Sequence, residues 1–347
     1  GYPLYTLAGR LCLALPVGDP GFRMNLFSAA CGASACGVLA LAARRLIASG
    51  ARARRFDPGW WASAAAGLAL GLGPGPWWQA VIAEKSAATL LLIALVLAVC
   101  ARAFAGGGFA ARLLPLLGLA YGVSAAHHGQ TAYLAPAALL AGLGALRCAP
   151  PRLRARAVGL AVVLLLLGLS VKLLYPPMRA AAHPVHNWLN PHSLERYLYY
   201  AAATPYQYRL FYWSPLDAAR RFRDQLVEFP AAQFGWAGVV LALVGLAWSA
   251  RRRPAETLAL GGVWAAGTFY CANFVLSGQA IRTYYHPVLM VTAVWLARGW
   301  WLALGWKGRR RRDAVRALAA AWLGWMALTH GRLARRDRSY VAYDYSR

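Results

Sequence analysis

The chain has 347 residues, 60% of them apolar and 14% charged, against roughly 45–50% and about 25% in ordinary globular proteins. A water-soluble core of this length cannot hide so much apolar surface, and the same figures exclude disorder. A formal charge of +26 and only six cysteines leave a basic membrane protein with many spans rather than a disulfide scaffold.

Apolar stretches near the bilayer-crossing length of about 20 residues fall at 24–47, 60–76, 87–104, 112–127, 130–147, 157–174, 233–250, 256–276, 286–305 and 314–330. They predict ten transmembrane helices in an all-α polytopic bundle, with one long loop at 175–232. Basic residues cluster between the spans, as in RRLIASGARARR, RCAPPRLRAR and KGRRRR. No nucleic-acid motif accompanies these clusters, so they read as cytoplasmic loops rather than as a nucleic-acid surface. If residue 1 lies outside and the chain alternates, the inward loops hold twenty of the Lys and Arg residues and only Asp57, Glu256 and Asp313 as acids. This places the 175–232 loop outside.

The pairs Trp60-Trp61 and Trp77-Trp78 bracket the second run and read as aromatic belts at its two interfaces. Gly67/Gly71 and Gly118/Gly122 read as close helix-packing points. The Gly-rich GLGLGPGP follows no strand and is not a nucleotide loop. The cysteines form no CxxC and read as buried thiols. Asp19, in a Gly-Asp-Pro turn, is expected to cap backbone.

Polar interruptions of the apolar runs carry the functional expectations. Glu84, in WWQAVIAEKSAATL, reads either as half of an interfacial pair with Lys85 or as a carboxylate lining an outward cavity. His127 and His128, in SAAHHGQTAYLAPA, are followed by Gln130 and Thr131 at the outer end of a span. Adjacent helical residues point about 100° apart, so this pair does not chelate a metal as an i, i+4 pair does, and no metal or cofactor is expected. Glu84, His127 and His128 are expected to share one outward cavity. The long loop offers Asn187 and Trp188 among many aromatics, as an interfacial segment or a cover over a site. Arg282, in SGQAIRTYYHP, is placed to meet a phosphate or to snorkel to headgroups.

The ordered set GYPLYTLAGRLCLALPVGDPGFRMNLFSA, WWQAVIAEKSAATL, AHHGQTAYLAPA, HNWLNPHSLERYLYY and YVAYDYSR resembles the multi-pass protein O-mannosyltransferase-like family. The resemblance implies a GT-C glycosyltransferase architecture: a membrane domain over 1–330 and an extracytoplasmic segment beginning at 331–347. It implies transfer of a mannose-like sugar from a polyprenyl-phosphate carrier to a hydroxyl of a protein acceptor, at the outer face of a bacterial inner membrane. It also implies a catalytic acid in an Asp-Ser-Gly-Glu-like segment upstream of Gly1, so the 347 residues alone are expected to be inactive, with Glu84 as the fallback acid. The rival reading is a transporter or lipid-handling protein without transferase chemistry, although no internal repeat points to it.

Overall fold

The computed structural model describes residues 2–47, 58–184, 187, 189–275, 283–305 and 308–334. Arg282 and Trp188 lie outside the described residues. Among the described residues, thirteen α-helices form the bundle. They are α1 (Pro3–Leu13), α2 (Pro20–Ile47), α3 (Pro58–Leu72), α4 (Pro74–Ala80), α5 (Ser86–Ala105), α6 (Leu114–His127) and α7 (Ala135–Arg147). The remainder are α8 (Pro151–Ala181), α9 (Leu194–Ala201), α10 (Pro215–Arg252), α11 (Pro254–Asn273), α12 (His286–Leu304) and α13 (Arg309–Ala334). The chain is therefore an all-α membrane helical bundle, and each of the ten apolar runs lies largely within a helix. Among the described residues, five helices, α2, α5, α8, α10 and α12, are by themselves long and apolar enough to cross a bilayer.

Prolines decide where the helices begin. Seven of the thirteen open on one (Pro3, Pro20, Pro58, Pro74, Pro151, Pro215 and Pro254), because the first turn needs no N–H from its first residue and the ring presets φ. This moves several starts upstream of the apolar runs, as for α2, α8 and α10. It also corrects the tryptophan reading: Trp60 and Trp77 do not bracket one continuous helix. α3 stops at Leu72, Gly73 is extended (ψ 152°), and Pro74 opens α4, which carries Trp77 and Trp78. Asp19 caps α2, its Oδ1 accepting the Phe22 N–H at 2.8 Å.

The long connection is shorter than its sequence suggests. α8 continues through Pro176 and Pro177 to Ala181, and the next long helix starts at Pro215. Between them lie α9 and a 3-10 turn at Thr204–Arg209. Leu194, Leu198, Phe211 and Tyr212 are exposed there, as suits a segment lying along a membrane surface.

α12 is the centre of the bundle, with every residue from His286 to Trp300 buried. A helix apolar and buried on all sides needs neighbours all round, and α2, α3, α5, α10, α11 and α13 supply them. Close approach depends on glycine. A Cβ at Gly299 would collide with the Leu241 carbonyl, and one at Gly122 with the Leu165 carbonyl, so α10–α12 and α6–α8 touch backbone to backbone.

α10 is broken at Gly235, where φ is 65° and ψ 166°. The break leaves carbonyls without helical partners, which lipid cannot satisfy. Here Trp322 Nε1 on α13 donates to Phe234 O at 3.2 Å, and beside the break the Gln233 side chain donates through Nε2 to Leu70 O near the end of α3 at 3.0 Å. This backbone region is essentially confined to glycine. Gly235→Ala should therefore cost about 1–3 kcal/mol, read as a lower unfolding temperature of the detergent-solubilised protein. An unchanged midpoint would mean that the break relaxes freely.

Helix ends gather into two faces. One holds the end of α2 and the starts of α3 and α13, where Arg44 lies over Trp60 and Arg316 over Trp61, each at 5.6 Å. The other holds Tyr2, the α4–α5 and α6–α7 connections, α9, and the start of α12.

Candidate functional site

α6 ends at His127 because His128 is extended (φ −150°, ψ 142°). His128 Nδ1 accepts the Gln130 N–H at 3.2 Å and so caps the 3-10 turn Gly129–Leu134. Ser124 and Thr131 close the same bend through a 2.6 Å hydroxyl bond, and Gln130 Nε2 donates to Thr283 O at 3.0 Å. The polar interruption read from the sequence is thus a built corner, with His127, His128 and Gln130 all buried.

The α4–α5 connection meets this corner. Glu84 Oε1 takes Lys85 Nζ at 2.6 Å, while Oε2 takes the Ser86 hydroxyl at 2.6 Å and its N–H at 3.3 Å. His127 Nε2 lies 3.3 Å from Lys85 O; a carbonyl only accepts, so this nitrogen carries the proton. The Lys85 ammonium sits 4.9 Å above the Tyr2 ring. On the same ring, His128 stacks at 5.6 Å and 8°. Tyr284 closes the far side, edge-on to His128 at 5.4 Å. Glu84, Lys85, His127, His128 and Gln130 therefore gather around Tyr2, although Glu84 and His127 are 43 positions apart.

The open space lies beside this cluster rather than within it. A cavity of about 130 Å³ is walled by Tyr2, Thr6, Tyr175, Arg179, Asn187 and Tyr200, with prolines between them. Asn187 is thus brought to Tyr2, with its Nδ2 held by Asn190 Oδ1 at 2.6 Å. Glu84 and the two histidines do not wall the cavity; they reach it through Tyr2.

Charge states follow from the partners. Burial works to raise the Glu84 carboxyl, but hydrogen bonds from Lys85 and Ser86 and the Lys85 charge outweigh it, holding the group below its ordinary range. Glu84 is an ionised carboxylate with both oxygens occupied. Burial, reinforced by the charges of Lys85, His127, Lys172 and His286, pushes His128 down to about 3. With Nδ1 accepting, His128 is a neutral Nε2–H donor at physiological pH. The Tyr2 hydroxyl is pushed up to about 12, first by burial and then by Glu84.

A pH dependence follows. Below its ordinary value of 6.5, an unfolded His128 takes up a proton that the folded corner refuses. Its stabilising contribution is whole above that pH and declines as pH falls toward about 3. The slope is at most about 1.4 kcal/mol per pH unit. His128→Phe keeps the stack on Tyr2 and should flatten the fall in unfolding temperature between about pH 7 and about pH 5. Equal slopes in both proteins would contradict this origin.

Sequence reasoning missed Tyr2, Arg179, Tyr284 and His286. His286 is 1% exposed, with neither ring nitrogen partnered among the described residues. Its signal was the Tyr-Tyr-His-Pro run beside Arg282, a polar-aromatic cluster directly before a helix-opening proline.

No curated protein and no solved structure matches the chain significantly. Residues 1–144, which contain Tyr2, Glu84, Lys85 and the histidine corner, match the family model described as protein O-mannosyl-transferase TMEM260 N-terminal domain, so over that segment the chain is similar to an O-mannosyltransferase-like family.

Proposed function

We propose that the protein transfers a mannose-like sugar, with inversion, from a polyprenyl-phosphate carrier to a hydroxyl of a protein acceptor. The site would face the extracytoplasmic side of a bacterial inner membrane, on a GT-C-like membrane domain over 1–330. The observation that carries this reading is the gathering of Lys85, Tyr2 and His128 beside a cavity walled by Arg179, within the segment that matches the family model. Twenty basic residues on the opposite, inward loops support the orientation.

Each residue then has a chemical part. Lys85 and Arg179 offer two cations to a leaving phosphate. The Tyr200 ring gives a flat face to a sugar, while Tyr2, whose ring carries Lys85 and His128, walls the cavity. Asn187 adds an amide contact at the cavity wall, while His128, stacked on Tyr2, and Gln130, tied to Thr283, hold the corner behind it. Trp188 and Arg282 join the proposed binding set on sequence grounds. A base must present an open lone pair to the acceptor proton, and the three hydrogen bonds that Glu84 accepts tie it to Lys85 and Ser86. Glu84 is therefore assigned to holding Lys85.

The test is transfer of labelled mannose from polyprenyl-phosphate mannose to a Ser/Thr peptide in proteoliposomes. The 347-residue chain, an upstream-extended chain, and the extended chain with its upstream acid changed to Asn are compared. Transfer by the extended chain alone is expected. Binding of the carrier without transfer by any of the three would favour a lipid-handling protein.

A further inference from the structure

A second opening lies at the arginine-rich end, between α10 and α12, and the transferase reading makes no use of it. It encloses about 400 Å³, with Val244, Ala247, Trp248 and Leu302 as walls and Arg251 and Arg252 at the mouth. Val244 and Ala247 are exposed on the outer surface of the bundle, so the slot opens toward lipid.

Its two guanidiniums are available. Among the described residues, neither Arg251 nor Arg252 makes an ion pair or a side-chain hydrogen bond, and both are exposed. Glu256, the acid four positions beyond Arg252, is already engaged by the buried Arg298. The rear wall is fixed: Trp248 lies edge-on to Trp301 at 5.4 Å and 74°, with the Arg298 guanidinium 5.8 Å from its ring centre. Snorkelling would bring arginines to headgroup depth, but it does not create an apolar slot beneath them.

The slot and its mouth match the two halves of a phospholipid. An acyl chain fits against Val244, Leu302 and the Trp248 face, and a phosphodiester fits the paired forks. A zwitterionic headgroup brings its own cation against two guanidiniums, whereas an anionic headgroup does not. We propose that this slot is a binding site for one anionic phospholipid, held by Arg251 and Arg252 at the headgroup and by the α10–α12 groove along the chain.

The experiment measures the unfolding temperature of the purified protein in neutral detergent during titration with phosphatidylglycerol, phosphatidylcholine or inorganic phosphate. Phosphatidylglycerol is expected to raise it, while the other two leave it unchanged. In R251Q/R252Q the half-saturating phosphatidylglycerol concentration should rise about thirty-fold. R152Q/R156Q, which removes the same charge from the same end, should behave as wild type. L302W fills the slot without touching charge and should weaken the response as well. Absence of a phosphatidylglycerol response, an equal response in R251Q/R252Q and wild type, a parallel loss in R152Q/R156Q, or an equal effect of inorganic phosphate overturns the proposal. None of these readouts depends on sugar transfer.

Discussion

Glu256→Leu should lower the stability of the protein by about 3–5 kcal/mol, the range for breaking a buried ion pair from one side. Arg298 is completely buried and Glu256 is 5% exposed. The guanidinium bonds Glu256 and, at 2.6 Å, the Ser249 hydroxyl, and packs against Trp248. An arginine cannot shed its proton, so removing Glu256 leaves a full positive charge inside the bundle with one neutral acceptor. Arg298→Met strands the carboxylate instead, and that loss should be smaller because a carboxylate can protonate. The double change Glu256→Leu/Arg298→Met exchanges the pair for packed apolar side chains and should recover most of the stability. Unfolding of all four proteins in one detergent gives the coupling directly. A double variant as unstable as Glu256→Leu would show that packing, rather than the stranded charge, sets the cost.

That pair also shows where the sequence stops speaking. Arg298 stands in AVWLARGWW, and Glu256 lies just after an arginine cluster; read locally, each belongs to a helix end. Only the packing of α11 against α12 joins them. The ten apolar runs were legible because hydrocarbon thickness fixes the length of a span. The helix starts were partly legible through their prolines. The break at Gly235 was not, since QFGWAGVV reads as unbroken apolar helix, and the break depends on a backbone conformation that a sequence pattern does not display. The spacing from Trp60 to Trp77 misled for the same reason: Gly73-Pro74 interrupts a run that composition alone makes continuous.

The candidate site divides along the same line. Glu84, His127, His128 and Gln130 stood out because polar groups inside apolar runs are costly unless they have partners. Tyr2, Tyr284 and His286 did not stand out, because aromatics before a span are ordinary at a membrane surface. Their importance comes from meeting across the bundle: Tyr2 lies between Lys85 and His128, and Tyr284 backs the histidine. No spacing rule links positions 2, 128 and 284.

In the extended chain, Lys85→Gln should reduce transfer by about a hundredfold, the low end of what losing one preorganised electrostatic contact costs a reaction that develops charge. The ammonium is fixed between Glu84 Oε1 at 2.6 Å and the Tyr2 ring at 4.9 Å, so it cannot be replaced by a mobile cation from solution. On the proposed chemistry, negative charge grows on the departing phosphate, and the loss should fall on kcat rather than on KM. Lys85→Arg keeps the charge and can stack on Tyr2, so it should restore part of the rate. Glu84→Gln separates two roles for the carboxylate. As a tether it only loosens Lys85, giving about a tenfold loss and no change in the pH profile above about pH 5, because the group is held below its ordinary value of 4.5 and stays ionised throughout that range. As a general base, its removal would cost more than Lys85→Gln and would erase the acidic limb of the profile. That second pattern would make Glu84 itself the catalytic carboxylate.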